Sequence, residues 1–207
     1  MKENKSQWYA TAFLQDDWSI NKQFSVIAGL RCDYHEKYGT NLTPKASVMY
    51  KIFPFTVRFN YARGYRSPSI KELYMNWDHL GMFWIYGNSK LKPETNNYIS
   101  LSGEYVNSWI NINANVYSNW FRNKIEGMWS NDQTELHYIN IGKSRLAGVE
   151  TMCKIQINRH INVHGAYNYL YTSKDADGVR LSSSSPHSGN IRAEYNTRIP
   201  RYATVVN

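Results

Sequence analysis

Hydrophobic and polar residues alternate with period two along most of the 207-residue chain. That period belongs to β-strands, whose successive side chains leave opposite faces of a sheet. The run from Trp109 to Trp120 places Ile110, Ile112, Ala114, Val116 and Trp120 on one side and Asn111, Asn113, Asn115, Tyr117 and Asn119 on the other. Comparable runs set Phe24, Val26, Ala28, Leu30 and Tyr34 against Ser25, Arg31, Asp33 and His35, and Phe55, Val57, Phe59 and Tyr61 against Thr56, Arg58 and Asn60. A fourth sets Val149, Thr151, Cys153, Ile155 and Ile157 against Glu150, Met152, Lys154 and Gln156. Each predicts a strand with one apolar and one polar face. The run from Trp8 to Trp18 alternates poorly, and the pattern assigns it no orientation.

The connections decide what kind of sheet this is. Phe53-Pro54 and Asn107-Ser108 read as two-residue hairpin turns, the second pairing Tyr105 with Ile110. The three-residue turn Asn158-Arg159-His160 joins Ile157 to Ile161, so the apolar faces match across all three turns. Short connections are expected near 20–22, 53–54, 107–108, 158–160 and 199–201, and longer polar ones near 35–43, 65–95, 121–138 and 172–186. Short turns at one end and long loops at the other predict an all-β, antiparallel, up-and-down transmembrane β-barrel, here of about ten strands.

Composition sharpens this picture. A mean hydropathy of −0.60 and no window near the roughly 18 apolar residues of a membrane helix exclude helical spans only, because barrel strands hide their apolar face in the alternation. The 17 Tyr, 7 Trp and 7 Phe suit a membrane interface, where a ring is apolar at one end and wet at the other. The net charge of +8 is spread over scattered Lys and Arg, without the basic run or zinc-finger spacing of a nucleic-acid binder. Cys32 and Cys153 sit among apolar alternating positions and read as small buried or lipid-facing hydrophobes, without a disulfide or metal role. Met1 is followed by Lys-Glu-Asn-Lys and no apolar signal stretch, which leaves either a cytoplasmic chain or one whose start is missing.

No enzyme signature emerges. Asp175-Ala176-Asp177-Gly178 lacks the remaining ligands of a calcium loop, and Ser182 to Ser185 has no nucleophile frame or base. Asp16 and Asp17 are adjacent in a strand and therefore face opposite ways, which rules them out as a paired acid and base.

The segment Gly64 to Glu94 differs from an ordinary surface loop, being dense in Tyr, Trp, Phe, Met, Pro and Gly. It contains Tyr65-Arg66-Ser67-Pro68, Ile70-Lys71-Glu72-Leu73-Tyr74, His79-Leu80-Gly81-Met82-Phe83 and Gly87-Asn88-Ser89-Lys90-Leu91-Lys92-Pro93-Glu94. These words resemble the TonB-dependent receptors, whose barrels carry an aromatic-Arg-Ala-Pro box, a Glu-Leu-aromatic element and an Asn-Pro-Asn-Leu-Lys-Pro-Glu box. The motif positions here are Tyr65, Arg66, Ser67, Pro68, Glu72, Leu73, Asn88, Leu91, Pro93 and Glu94; Ser67, Ser89 and Lys90 depart from the pattern. Gln15-Asp16-Asp17-Trp18, Gly29-Leu30-Arg31, Leu42-Thr43-Pro44-Lys45, Asn140-Ile141-Gly142-Lys143 and Gly148-Val149-Glu150 extend the likeness along most of the chain.

The resemblance implies a Gram-negative outer-membrane location and energised uptake of an iron chelate, haem favoured over a siderophore, with no intrinsic cofactor and no enzymatic activity. The implied partners are the TonB complex, acting through a plug domain, the small-molecule cargo and outer-membrane lipid, with no nucleic acid. Haem-uptake receptors carry an iron-ligating His between the two boxes, and His79 occupies that place. A neutral imidazole is a good axial ligand for haem iron. Tyr65, Arg66, Met82, Phe83, Trp84 and Tyr86 complete the candidate ligand-binding set. An import barrel has about 22 strands, so residues 1–207 are expected to be one part of the barrel domain, with the plug and the remaining strands outside it. The competing reading is a soluble, aromatic-rich β-sandwich that binds carbohydrate on stacked Tyr and Trp.

Overall fold

The computed structural model describes residues 5–173 and 185–195. The strands are β1 (Tyr9–Ser19), β2 (Phe24–His35), β3 (Gly39–Ile52), β4 (Phe55–Arg66), β5 (Asn76–Asp78), β6 (Trp84–Tyr86), β7 (Glu94–Val106), β8 (Ile110–Trp129), β9 (Glu135–Gln156), β10 (Ile161–Thr172) and β11 (His187–Tyr195), with one short helix, α1 (Ile70–Tyr74). Nine of them form a single antiparallel meander in the order β1-β2-β3-β4-β7-β8-β9-β10-β11, while β5 and β6 stand off this path. The described residues thus hold eleven strands, nine in the wall and two within the long loop, against an expectation of about ten. A single meander layer, with no second sheet packed on it among the described residues, is a section of barrel wall and not a sandwich.

Register makes the wall two-faced. Trp18, Val26, Val48, Phe59, Leu101, Val116, Val149 and Tyr169 form one continuous cross-strand row over eight strands, apolar throughout. Phe59, Leu101 and Val116 in that row are 46%, 54% and 55% exposed, surface that only lipid can cover. The other face carries polar ladders, such as Ser47 Oγ donating to Asn60 Oδ1 at 2.7 Å and Asn60 Nδ2 donating to Ser100 Oγ at 3.0 Å. The same register orients β1, whose pattern was mute: Leu14 and Trp18 join the apolar face through Leu30 and Val26, whereas Phe13 lies opposite Arg31 on the polar face. Cys32 and Cys153 are unpaired thiols at apolar-face positions, opposite Leu42 and Ile112.

Three expectations are corrected. The connection at 35–43 is not a long loop, since β2 and β3 pair up to His35 and Gly39, and Gly39 supplies the positive φ of +70° that a tight turn needs. The connection at 121–138 shrinks to 130–134, because β8 and β9 run on for 20 and 22 residues. Tyr105 pairs with Ile112, not Ile110, since Asn107 Oδ1 accepts the N–H groups of Trp109 and Ile110 and widens the turn. That shift is by two residues, so the faces still match. The connection at 172–186 lies mostly outside the described residues, as do Asp175 to Gly178, Ser182 to Ser184 and 199–201.

At roughly 3.3 Å per residue, β8 and β9 are far longer than the 9–11 residues a tilted strand needs to cross a bilayer core. Their far ends therefore rise beyond the wall as a hairpin. The segment between β4 and β7 packs against it. Among the described residues, the buried apolar side chains of Pro68, Leu73, Leu91, Ile125 and Ile141 lie in this outer region.

Candidate functional site

The outer segment is held by one ion cluster. Ser69 caps α1: its hydroxyl accepts from the Glu72 N–H, and the Glu72 carboxylate accepts from the Ser69 N–H at 2.8 Å, closing a capping box. Arg66, the last residue of β4, donates from Nη1 to both Glu72 oxygens at 2.8 and 3.0 Å and from Nη2 to Glu94 Oε2 at 3.1 Å. Glu94 Oε2 also accepts the Ile125 N–H at 3.0 Å. One guanidinium thus ties the end of β4, the helix, the start of β7 and, through Glu94, the β8 extension. Burial pushes the Glu72 carboxyl up, but the Ser69 N–H, the Arg66 guanidinium and the Ser69 hydroxyl outweigh it and hold the group below the usual carboxylate range.

Above the cluster sits a small core in which Leu73, Leu91 and Ile125 pack with Tyr138. Pro68 and Leu73 have the most completely buried side chains of the described residues. Asn88 fastens the second motif, its N–H donating to Glu72 O at 2.8 Å and its Nδ2 to Tyr138 O at 3.1 Å. Tyr38 OH and Lys37 Nζ bind the carbonyls of Leu91 and Ser89 from the β2–β3 turn. At Gly87 an added Cβ would lie 2.6 Å from the backbone nitrogens of Tyr74 and Met75, so only glycine lets this chain pass beneath the end of α1.

Beyond the clasp, β5 and β6 form a hairpin, and β6 pairs in parallel with the start of β9. Together with the end of β8 they make a four-stranded platform. Register puts Trp77, Ile85, Leu136 and Trp129 on one of its faces and Asp78, Trp84, Tyr86, Glu135, His137 and Met128 on the other. Trp84, Tyr86 and His137 form a row of stacked rings at 5.9 and 5.0 Å. On the opposite side His79 lies 4.7 Å from Trp77 and 4.8 Å from Phe83, and Phe83 meets Trp129 edge-on at 5.1 Å.

The residues singled out from sequence therefore divide. Tyr65, Arg66, Pro68, Glu72, Leu73, Asn88, Leu91 and Glu94 converge on the clasp and its core or border them. His79 and Phe83 line one platform face, Trp84 and Tyr86 the other, and Met82 is 69% exposed at the hairpin tip. The structure does not bring all of them onto one ligand surface. His79 Nδ1 is buried without a hydrogen-bond partner. Trp77, Trp129 and His137 belong to the same aromatic surfaces and carried no sequence signal. Asn140 did carry one, within Asn-Ile-Gly-Lys: its side chain accepts from Lys92 N and donates to the carbonyls of Lys92 and Asn123, bracing the second motif against both long strands.

The family model described as TonB dependent receptor-like, beta-barrel matches residues 2–204. The chain belongs to this family. It is part of a β-barrel of the Gram-negative outer membrane. The iron-regulated outer membrane virulence protein of Vibrio cholerae is 26% identical over 187 residues, covering 83% of this chain and 28% of that protein. The vitamin B12 transporter BtuB of the same species is 28% identical, covering 89% of this chain and 28% of its own. The crystal structure of the siderophore receptor PirA from Acinetobacter baumannii superposes with a TM-score of 0.74 at 21% identity, over 91% of this chain and 31% of that one, which shows the shared fold. The chain spans less than a third of the length of each of these proteins.

Proposed function

We propose that the receptor carrying this chain takes up a ferric chelate, a siderophore complex before haem, and that residues 1–207 supply part of its barrel and cargo-facing surface. One observation carries the reading: the Arg66 clasp locks a platform of aromatic rings to the outer end of the wall. Exposed rings on a rigid support are the means by which a protein holds a large, partly apolar ligand. The similarity to an iron-regulated outer membrane protein and to a siderophore receptor supports that choice. Energy would come from TonB acting on a plug domain elsewhere in the receptor, and the barrel exterior would be in contact with outer-membrane lipid. The experiment is uptake of a labelled ferric siderophore by cells in which this is the sole iron-chelate receptor. Replacing Trp84 and Tyr86, which share one face of the platform, by Ala should weaken binding roughly five- to tenfold each. Unchanged uptake in the double variant removes the proposal.

Haem remains as a second reading because of the partnerless His79 Nδ1 between Trp77 and Phe83. A flat macrocycle can meet the His79 side of the platform or the Trp84 side, not both. If haem is the cargo, the intact receptor binds it with an axial-histidine absorption spectrum that His79→Ala abolishes. The same spectrum and affinity in that variant exclude His79 as the iron ligand.

A further inference from the structure

The apolar face of the wall ends, toward the outer side, in a patch of positive charge. Successive cross-strand rows on that face read Tyr61-Ile99-Ser118-Ala147-Tyr171, then Arg63-Asn97-Trp120-Arg145, then Thr95-Arg122-Lys143. Arg63, Arg122, Lys143 and Arg145 are all exposed. Arg122 and Lys143 are directly opposed across β8 and β9, a like-charge pairing that costs stability unless an anion lies between them. The ion pairs of the described residues include Lys124 with Glu126 on this face but none of Arg63, Arg122, Lys143 or Arg145. The Arg145 guanidinium is aimed by neutral groups alone: it donates to Ser118 Oγ at 2.8 Å and lies 5.2 Å over the Trp120 ring.

The shape beneath the patch agrees with its charge. A groove of about 500 Å³ lined by Trp120, Arg122, Lys143, Arg145 and Ser173 continues at Trp120 and Arg145 into an apolar one of about 590 Å³, lined by Leu101, Val116, Val149, Tyr169 and Tyr171. We propose that this face is a binding site for a phosphate-bearing lipid of the outer leaflet, with its headgroup on Arg122, Lys143 and Arg145 and an acyl chain in the apolar groove below. Cargo would not reach it, because the site lies on the lipid side of the wall. Basic residues at a bilayer surface attract anionic headgroups, and the interfacial ring of Trp120 marks the boundary where phosphate gives way to chain.

Native mass spectrometry of the whole detergent-solubilised receptor, titrated with phosphatidic acid, diacylglycerol of the same chains and inorganic phosphate, tests the site. Phosphatidic acid should be retained and the other two not. The triple variant Arg122→Gln/Lys143→Gln/Arg145→Gln should bind it about a hundredfold more weakly, while Lys154→Gln, on the polar face, should match the parent. A second measurement guards against misfolding of the triple variant. Lys143→Gln relieves the opposed charges, so it should raise the unfolding temperature in neutral detergent and lower the stabilisation that phosphatidic acid confers. Unchanged affinity in the triple variant, equal retention of diacylglycerol, displacement of the lipid by inorganic phosphate, or an identical response of Lys143→Gln and parent to the lipid would each overturn the site.

Discussion

The wall of the barrel and the segment that crowns it keep the same chain folded by opposite means. In the wall, backbone ladders supply the order and the apolar row through Phe59, Leu101 and Val116 is left exposed, so its burial depends on the surrounding bilayer. In the crown, Leu73, Leu91 and Ile125 bury against one another and the Arg66 guanidinium bridges two carboxylates, as in a small soluble domain. The hydrophobic effect acts on one region through lipid and on the other through protein. The two regions should therefore fail separately, and the Gly64–Glu94 motifs belong to the region that the bilayer cannot stabilise.

Cutting into the crown should have the largest effect. Leu91→Ala should cost about 4 kcal/mol of local stability, seen as lost hydrogen-exchange protection in α1, β5 and β6, with β2 to β4 unchanged. Val116→Arg is the complementary cut, expected to cost about 3 kcal/mol in lipid by placing a charge against acyl chains. Denaturant titration in vesicles should register it while exchange in the crown does not. A shared loss of protection in both variants would mean that the two regions are one cooperative unit.

Gly87→Ala should cost about 2 kcal/mol, because its Cβ meets backbone that cannot step aside, and the β5–β6 hairpin should become protease-sensitive without loss of the folded barrel. The smallest effect is on pH. Since the folded state holds the Glu72 carboxyl below its ordinary 4.5, the stabilisation is complete above that value and is lost as pH falls through the lower, folded value. Crown protection should therefore be flat above about pH 5 and decline on further acidification. Glu72→Gln should remove the decline and itself cost about 1 kcal/mol. A decline of the same size in Glu72→Gln would assign it to another group.

How much was legible follows the same division. Where one face must meet lipid and the other must not, alternation is obligatory, and β2, β4, β8 and β9 could be read directly from their residues. Beyond the membrane that constraint ends. Residues 121–138 read as a loop because Arg122, Lys124, Glu126 and Gly127 break the alternation, although the strands continue. The motif words mark the right segment, yet from sequence Tyr65 and Arg66 group with His79 in one ligand-binding set, and only the fold assigns Arg66, Glu72 and Glu94 to a clasp.

The sequence by itself determined the two-faced strands, the matched faces across the short turns and the family, because local periodicity and short motifs are written in neighbouring residues. The tertiary structure alone decided that Arg66 meets Glu94, that His79 and Trp84 part company across a platform, and that Arg122 faces Lys143. Each of these is a register between segments distant along the chain, and register is set by the packing of the whole sheet, which no local pattern contains.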